Sequence, residues 1–233
     1  MKKLQFSLLL ILCFSVGFNS IAQNATDLDQ TNNEYLSTKT VPIYTGVDKY
    51  AGSPYSKENF ERGNVFKNGK LVANNVGLRY NVKQEHIELK QDLNSTKIVA
   101  NVVKPSEEIY VKIANNVYIF FASQSEEMQD GYYLVLHEGD KLNFYKKEIK
   151  EFIEGKKSIN SITRDIAPSY KDKEAYYVAD NSGTLIKLAN SRNNRLNVFP
   201  DSKKELKRYI KDKRLNISKE ADFLKLIRYY NTI

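Results

Sequence analysis

The chain is poor in the residues that most often carry redox and metal chemistry. It has one cysteine, two histidines and no tryptophan among 233 residues. Cys13 lies in the apolar N-terminal stretch, so the rest of the sequence offers no thiol nucleophile, disulfide or thiolate metal ligand. His86 and His137 are far apart, and neither belongs to a Gly-x-Ser-x-Gly or His-Glu-x-x-His motif. We interpret both as solvated turn histidines and expect no zinc site.

Phosphate-binding and calcium-binding loops are also missing. The ten glycines are dispersed, and none forms Gly-x-Gly-x-x-Gly. Asp130, Glu138 and Asp140 flank turns but lack EF-hand spacing. We therefore expect no cofactor.

The N-terminus has the three parts of a secretory signal peptide. Met1-Lys2-Lys3 is positively charged, an apolar run from Phe6 to Phe18 follows, and Ser20-Ile21-Ala22 places small residues before a cut at Gln23. The run is too short to span a bilayer, and no second long apolar stretch exists, so we expect no transmembrane segment in the mature chain. The predicted location is the periplasm or the outside of the cell, and the residues before Cys13 do not predict a lipid anchor.

The charge and composition of the rest of the chain predict its partners and its domain boundaries. Removing Lys2 and Lys3 lowers the formal charge from +8 to +6, which is modest, and we expect no nucleic-acid partner. The predicted parts are a signal peptide (1–22), a flexible polar lead (23–40), a β-rich domain (41–190) and a helical appendage (191–233) packed on that domain.

A β-hairpin around Asn68-Gly69 is the strongest local signal. A two-residue Asn-Gly loop favours a type I′ turn, which requires positive φ at both positions. The following run alternates, so Val76, Leu78, Tyr80 and Val82 should face the core. Arg79 falls on the opposite face, where we predict a surface ion pair.

Further strands follow at short intervals, which favours antiparallel pairing of sequential neighbours. The predicted fold class is α+β: an antiparallel, mostly sequential β-sheet, as a sandwich or partly open barrel, followed by two or three C-terminal helices. Residues 146–173 are basic and weakly patterned, and we interpret them as a loop with a short helix near 149–153. In the tail, Ser202 and Glu205 predict a capping box, and Ser218 predicts the N-cap of the last helix.

Three stretches resemble a group of uncharacterised secreted proteins of Gram-negative bacteria. They are Gly52-Ser53-Pro54-Tyr55, the hairpin with Leu78-Arg79-Tyr80-Asn81, and the tail from Phe199 to Leu226. The resemblance implies a β-rich domain with a helical C-terminal tail. Its motifs are a turn, a strand and helix caps, so it carries over no catalytic residue.

Tyrosines on the later strands are the first candidate ligand-binding residues. Exposed tyrosines beside basic residues would suit a glycan, an anionic envelope polymer or a peptide. The alternative is that each Tyr-Tyr pair has one ring in the core and one on the solvated face. The candidates are Tyr132, Tyr133, Tyr145, Tyr176 and Tyr177.

The basic face of the first tail helix is the second candidate, through Lys203, Lys204 and Lys207. It could contact anionic lipid, or it could be the solvated side of a docked helix.

The sequence thus predicts an exported, non-enzymatic binding or structural module of the cell envelope. Its partner would be an envelope glycan, anionic lipid or another envelope protein. The alternative is a periplasmic or secreted hydrolase that uses loop carboxylates, namely Glu126, Glu127 and Asp130.

Overall fold

The computed structural model describes residues 33–43, 50–124, 128, 130–158 and 164–233. Glu34–Ile233 form one compact unit. The predicted signal peptide, Cys13 and most of the predicted lead lie outside the described residues. Residues 36–40 of that lead belong to a β-strand, so for them the prediction of a flexible segment is wrong.

Strands come first in the described chain and helices last. The strands are β1 (Leu36–Pro42), β2 (Glu61–Lys67), β3 (Lys70–Asn81), β4 (His86–Lys90), β5 (Val99–Val103), β6 (Ile109–Ile113), β7 (Asn116–Phe121), β8 (Gly131–His137), β9 (Asn143–Ile153), β10 (Ser169–Ala179) and β11 (Leu185–Lys187). A short 3₁₀ helix, Asn194–Val198, precedes α1 (Lys203–Asp212) and α2 (Glu220–Tyr230).

All eleven strands form one antiparallel sheet in the order β1-β5-β4-β3-β2-β6-β7-β8-β9-β10-β11. The end strands β1 and β11 do not pair with each other, so the sheet does not close into a barrel. An antiparallel sheet followed by C-terminal helices confirms the predicted α+β class.

The sheet curls strongly around its main core. Tyr80 on β3 and Tyr132 on β8 are four strands apart, which is about 19 Å in a flat sheet. Their ring centroids are nevertheless only 5.7 Å apart, and Tyr118 lies 5.2 Å from Tyr80. The face that carries these three rings is the inner face of the sheet.

The Asn68-Gly69 hairpin is confirmed. Both residues have positive φ (49° and 74°), and Lys67 pairs with Lys70 across the turn. The predicted inward residues of the following run are all buried: Val76, Leu78, Tyr80 and Val82.

The two helices cover the inner face of β9 and β10. Phe144 and Val178 of these strands pack with Leu206 of α1 and Phe223 of α2 in a second core. Ser202 is the N-cap residue of α1, as predicted, but its side chain makes no capping bond, so the predicted capping box does not form. Glu205 instead accepts a hydrogen bond from the hydroxyl of Tyr229 at 2.8 Å. The prediction for α2 is wrong, because its N-cap is Lys219 rather than Ser218.

The prediction of a loop over 146–173 is also wrong, because residues at both ends of this range belong to β-strands. β9 continues to Ile153 and β10 starts at Ser169, so the two make a long hairpin. Lys150 lies opposite Asp172 in register, and their charged atoms are 2.5 Å apart. Opposite charges therefore face each other across this hairpin, whereas the other strands carry alternating apolar residues.

Candidate functional site

Three of the five candidate tyrosines are buried. Tyr132 and Tyr133 are each 1% exposed and Tyr145 is 5% exposed. Tyr132 lies in the inner core, whereas Tyr133 and Tyr145 pack with Phe121 on the outer face. Burial raises the pKa of Tyr145 to about 12, so its hydroxyl is neutral at physiological pH. The prediction that these rings are exposed is wrong. The alternative is right that Tyr132 and Tyr133 lie on opposite faces, but wrong that the outer ring is solvated.

The other two tyrosines are half-buried and lie on opposite faces. Tyr177 packs against Tyr133 on the outer face. Tyr176 lies beneath the helices, where its hydroxyl contacts Glu174 at 2.6 Å and Glu220 at 3.0 Å. The five tyrosines therefore do not make one surface.

The three candidate lysines lie on the exposed side of α1, as the periodicity predicts. Lys203 donates to the side chain of Asn197 at 3.3 Å. None of the contacts among the described residues joins Lys203, Lys204 or Lys207 to the candidate tyrosines. None of the described helices is long and apolar enough to span a membrane.

The loop carboxylates give no support to a hydrolase. Glu126 and Glu127 lie outside the described residues. Asp130 is exposed and accepts a hydrogen bond from the backbone N–H of Ser123 at 2.6 Å.

A concave site lies elsewhere, between β1 and the segment that leads into β2. We call it the cleft. Its volume of about 440 Å³ is in the range of small-molecule sites. The lining residues are Lys39, Thr40, Val41, Pro42, Tyr50, Pro54, Tyr55, Asn81, Lys83, Gln84, Glu88 and Tyr170.

One wall of the cleft is built by residues 50–60, which we call the strap. At one end the strap joins β10, where Ala51 donates its N–H to Pro168 and accepts from Tyr170 at 2.8 Å. At the other end it joins β3, where Tyr55 pairs with Asn81. Gly52, between the two joints, has φ +78°, and a Cβ there would lie 3.0 Å from the carbonyl oxygen of Tyr170. Glycine permits both this turn and this close approach.

The floor of the cleft is Glu88, which forms a buried ion pair with Arg79. Arg79 donates to Oε2 of Glu88 through Nε at 3.0 Å and through Nη2 at 2.7 Å. Its guanidinium carbon lies 3.8 Å from the ring centroid of Tyr55 and 4.3 Å from that of Phe60. Arg79 is 4% exposed because the strap covers the outer face of β3, so the predicted surface ion pair is wrong.

His86 is buried beside this ion pair and is not a solvated turn residue. It is 6% exposed and pairs with Asn81 across β3 and β4. Its Nε2 lies 3.5 Å from Oε1 of Glu88 and has no hydrogen-bond partner among the described residues. His137, the other histidine, is half-buried at the end of β8, where burial and Arg228 lower its pKa.

Glu88 stays ionised in this floor. Burial alone raises the pKa of its carboxyl, but neighbouring His86 and Arg79 outweigh burial and hold the pKa below its ordinary value. A carboxylate held in this way is a poor proton donor near neutral pH.

The open wall of the cleft is aromatic and basic. Tyr50 is 39% exposed and packs edge-on against Tyr170 and Phe152, with centroid distances of 6.0 and 5.7 Å. Lys39 and Lys83 are exposed at the rim, and neither has an acidic partner among the described residues. Sequence analysis missed this site because its residues come from four distant segments; the Gly52-Ser53-Pro54 turn was its one local signal.

A second buried polar cluster lies where β8 and β9 diverge, and it replaces missing strand pairing. Glu85 accepts hydrogen bonds from the backbone N–H of Tyr132 at 3.2 Å and from Nζ of Lys147 at 2.7 Å. Lys147 in turn donates to the carbonyl of Tyr132 at 3.2 Å. Gly131 leaves the space that these two side chains occupy. All the polar atoms named here are used within the cluster, so its role is structural.

Comparisons with protein-family models, curated proteins and solved structures found no match to this chain. The resemblance to secreted proteins of Gram-negative bacteria therefore stays a prediction. Among the described residues, no group of three or more His, Cys, Asp or Glu side chains is placed to hold a metal ion.

Proposed function

We propose that this protein is an exported, non-enzymatic binding module of the cell envelope that holds an envelope glycan in the cleft. The observation that carries the proposal is the cleft itself, a concave site with tyrosine rings on one wall and polar side chains around them. Aromatic rings bind the apolar faces of sugars, and surrounding polar groups bind their hydroxyls. The N-terminal sequence pattern supports export.

Tyr50 supports a glycan because its ring combines exposure with a fixed position. It meets Tyr170 and Phe152 at interplanar angles of 88° and 89°, so two neighbours hold it while one side remains accessible. A ring that is already ordered loses little conformational entropy when a ligand binds.

The test is binding of the purified full chain to an array of bacterial polysaccharides and oligosaccharides. We expect binding to at least one glycan class, and Tyr50→Ala should weaken it about tenfold, which corresponds to one aromatic stacking contact. Tyr110→Ala is the matched control, because Tyr110 is also half-exposed but stacks on Phe66 outside the cleft.

Absence of binding to every glycan, or equal effects of the two substitutions, would count against the proposal. Binding only to anionic lipid vesicles, with loss in Lys203→Ala/Lys204→Ala, would instead favour the basic face of α1.

A further inference from the structure

The charged residues that line the cleft indicate which class of glycan would bind there. Of the twelve lining residues, only Lys39, Lys83 and Glu88 are ionisable at neutral pH. Glu88 is 1% exposed and is neutralised by Arg79. Lys39 and Lys83 have no acidic partner among the described residues, so the accessible charge of the lining is positive.

We propose that the cleft binds an acidic sugar, with the anionic group of the sugar at the amines of Lys39 and Lys83 and its ring against Tyr50. This inference rests on the proposed function, because it specifies which envelope glycans the cleft accepts. The acidic group is a carboxylate or a phosphate, since either pairs with an ammonium group.

The two lysines come from different parts of the fold that meet at the cleft. Lys39 belongs to β1, and Lys83 follows the end of β3. The backbone N–H of Lys83 donates to the carbonyl of Pro54 at 3.2 Å, so the strap fixes the main chain at this rim position. Both lysines line the cleft, so a ligand in the cleft has an amine from each of these two parts of the fold in its lining.

The floor prevents the lysines from being neutralised internally. Oε2 of Glu88 takes both Arg79 donors, and Arg79 is itself clamped between the rings of Tyr55 and Phe60. Releasing Glu88 toward a lysine would leave the buried Arg79 guanidinium without its carboxylate, which is unfavourable. Among the described residues, the positive charge at the rim is thus available to a ligand.

The experiment compares sugars that differ only in their charge. The probes are an oligomer of galacturonic acid against its methyl ester, and mannose 6-phosphate against mannose, measured by calorimetry with the full chain. We expect at least one acidic probe to bind about tenfold or more tightly than its neutral form. This preference should shrink as salt rises, because exposed charges are screened.

The variant Lys39→Ala/Lys83→Ala should abolish the preference for the acidic form. Lys70→Ala/Lys112→Ala is the matched control, because it removes the same charge from exposed positions outside the cleft lining and should leave the preference intact. All four lysines are exposed, so both variants should fold, which a circular dichroism spectrum checks.

The outcomes separate this inference from the proposed function. Equal binding of acidic and neutral forms, lost with Tyr50→Ala, would overturn the acidic-sugar inference and leave the glycan-binding function standing. Preference for the acid that survives in Lys39→Ala/Lys83→Ala would overturn the assigned residues. Failure of all four probes together with an empty glycan array would overturn both. Preference for the galacturonate or for the phosphate probe identifies which acidic group the site takes.

Discussion

The solvent exposure of Arg79 depends on the segment that packs over it. Alternation along β3 correctly placed Tyr80 in the core and Arg79 on the other face. The inference that this other face is solvated failed, because the strap packs on it and buries Arg79 against Tyr55 and Phe60. No pattern within β3 reports the presence of a covering segment that lies about 20 residues earlier in the chain.

The buried ion pair leads to a stability prediction. Arg79→Met should lower the free energy of unfolding by about 3–5 kcal/mol, because it leaves the Glu88 carboxylate buried without its partner. The double variant Arg79→Met/Glu88→Leu should be more stable than Arg79→Met alone. Urea unfolding measures both, and additive losses in the double variant would contradict a coupled pair.

The Arg79–Glu88 pair also makes the free energy of unfolding depend on pH. The pKa of Glu88 is lower in the folded protein than its ordinary value, so the folded state binds the proton less tightly than the unfolded state. Its contribution to stability is therefore complete above the ordinary pKa of about 4.5 and is lost as the pH falls below that value. Urea unfolding between pH 7 and pH 3 should show a smaller acid-induced loss in Glu88→Gln than in the natural chain. Parallel curves would refute this.

At the scale of elements, the alternation of apolar and polar residues predicted most strands. The strands that it missed have a common cause. The outer halves of β9 and β10 carry charges on both faces, so they lack the apolar period that identifies a half-buried strand. Their pairing brings together Lys150 with Asp172 and Phe152 with Tyr170, and these contacts become visible only when the strands are in register. The capping box of α1 fails for a related reason, since Glu205 accepts a hydrogen bond from Tyr229, a residue that is distant in sequence.

Besides its apolar packing, one side chain just after α2 bonds the helix to the loop between β8 and β9. Asn231 accepts from the backbone N–H groups of Lys141 and Leu142 at 2.8 and 3.0 Å, and it donates to the carbonyls of Leu142 and Ile227. Asn231→Ala should lower the free energy of unfolding by about 2 kcal/mol, because partly buried backbone groups lose their partners. Thermal unfolding should detect this loss, whereas Thr232→Ala next to it should change little. Equal melting temperatures for Asn231→Ala and the natural chain would show that water replaces the lost bonds.

At the scale of the whole molecule, the class of fold could be predicted and the cleft could not. The antiparallel sheet and the terminal helices each have a local period in the sequence. The cleft takes residues from β1, the strap, the turn after β3 and the start of β10, and it exists only because the sheet curls. Curl depends on packing between strands that are distant in the chain, such as that of Tyr80 with Tyr132, and no local pattern encodes it.

A ligand in the cleft should stabilise the strap at both joints. The relevant amides are those of Ala51 and Tyr170 at β10, and those of Ser56 and Lys83 at β3. With a saturating acidic probe, hydrogen exchange of these four amides should slow, because opening the strap would first require release of the ligand. The amide of Asn68, bonded to the carbonyl of Glu108 far from the cleft, serves as the reference. Unchanged exchange at the strap would place the ligand elsewhere.

The pairing of Ala51 with Ser169 also determines when the cleft forms during synthesis of the chain. These residues pair although 118 positions separate them in the chain. A growing polypeptide has Tyr50, Lys39, Lys83 and the first hairpin long before it has β10. It lacks the second anchor of the strap until that strand is synthesised. The cleft is thus a late product of folding, and an incomplete chain cannot yet hold a ligand in it.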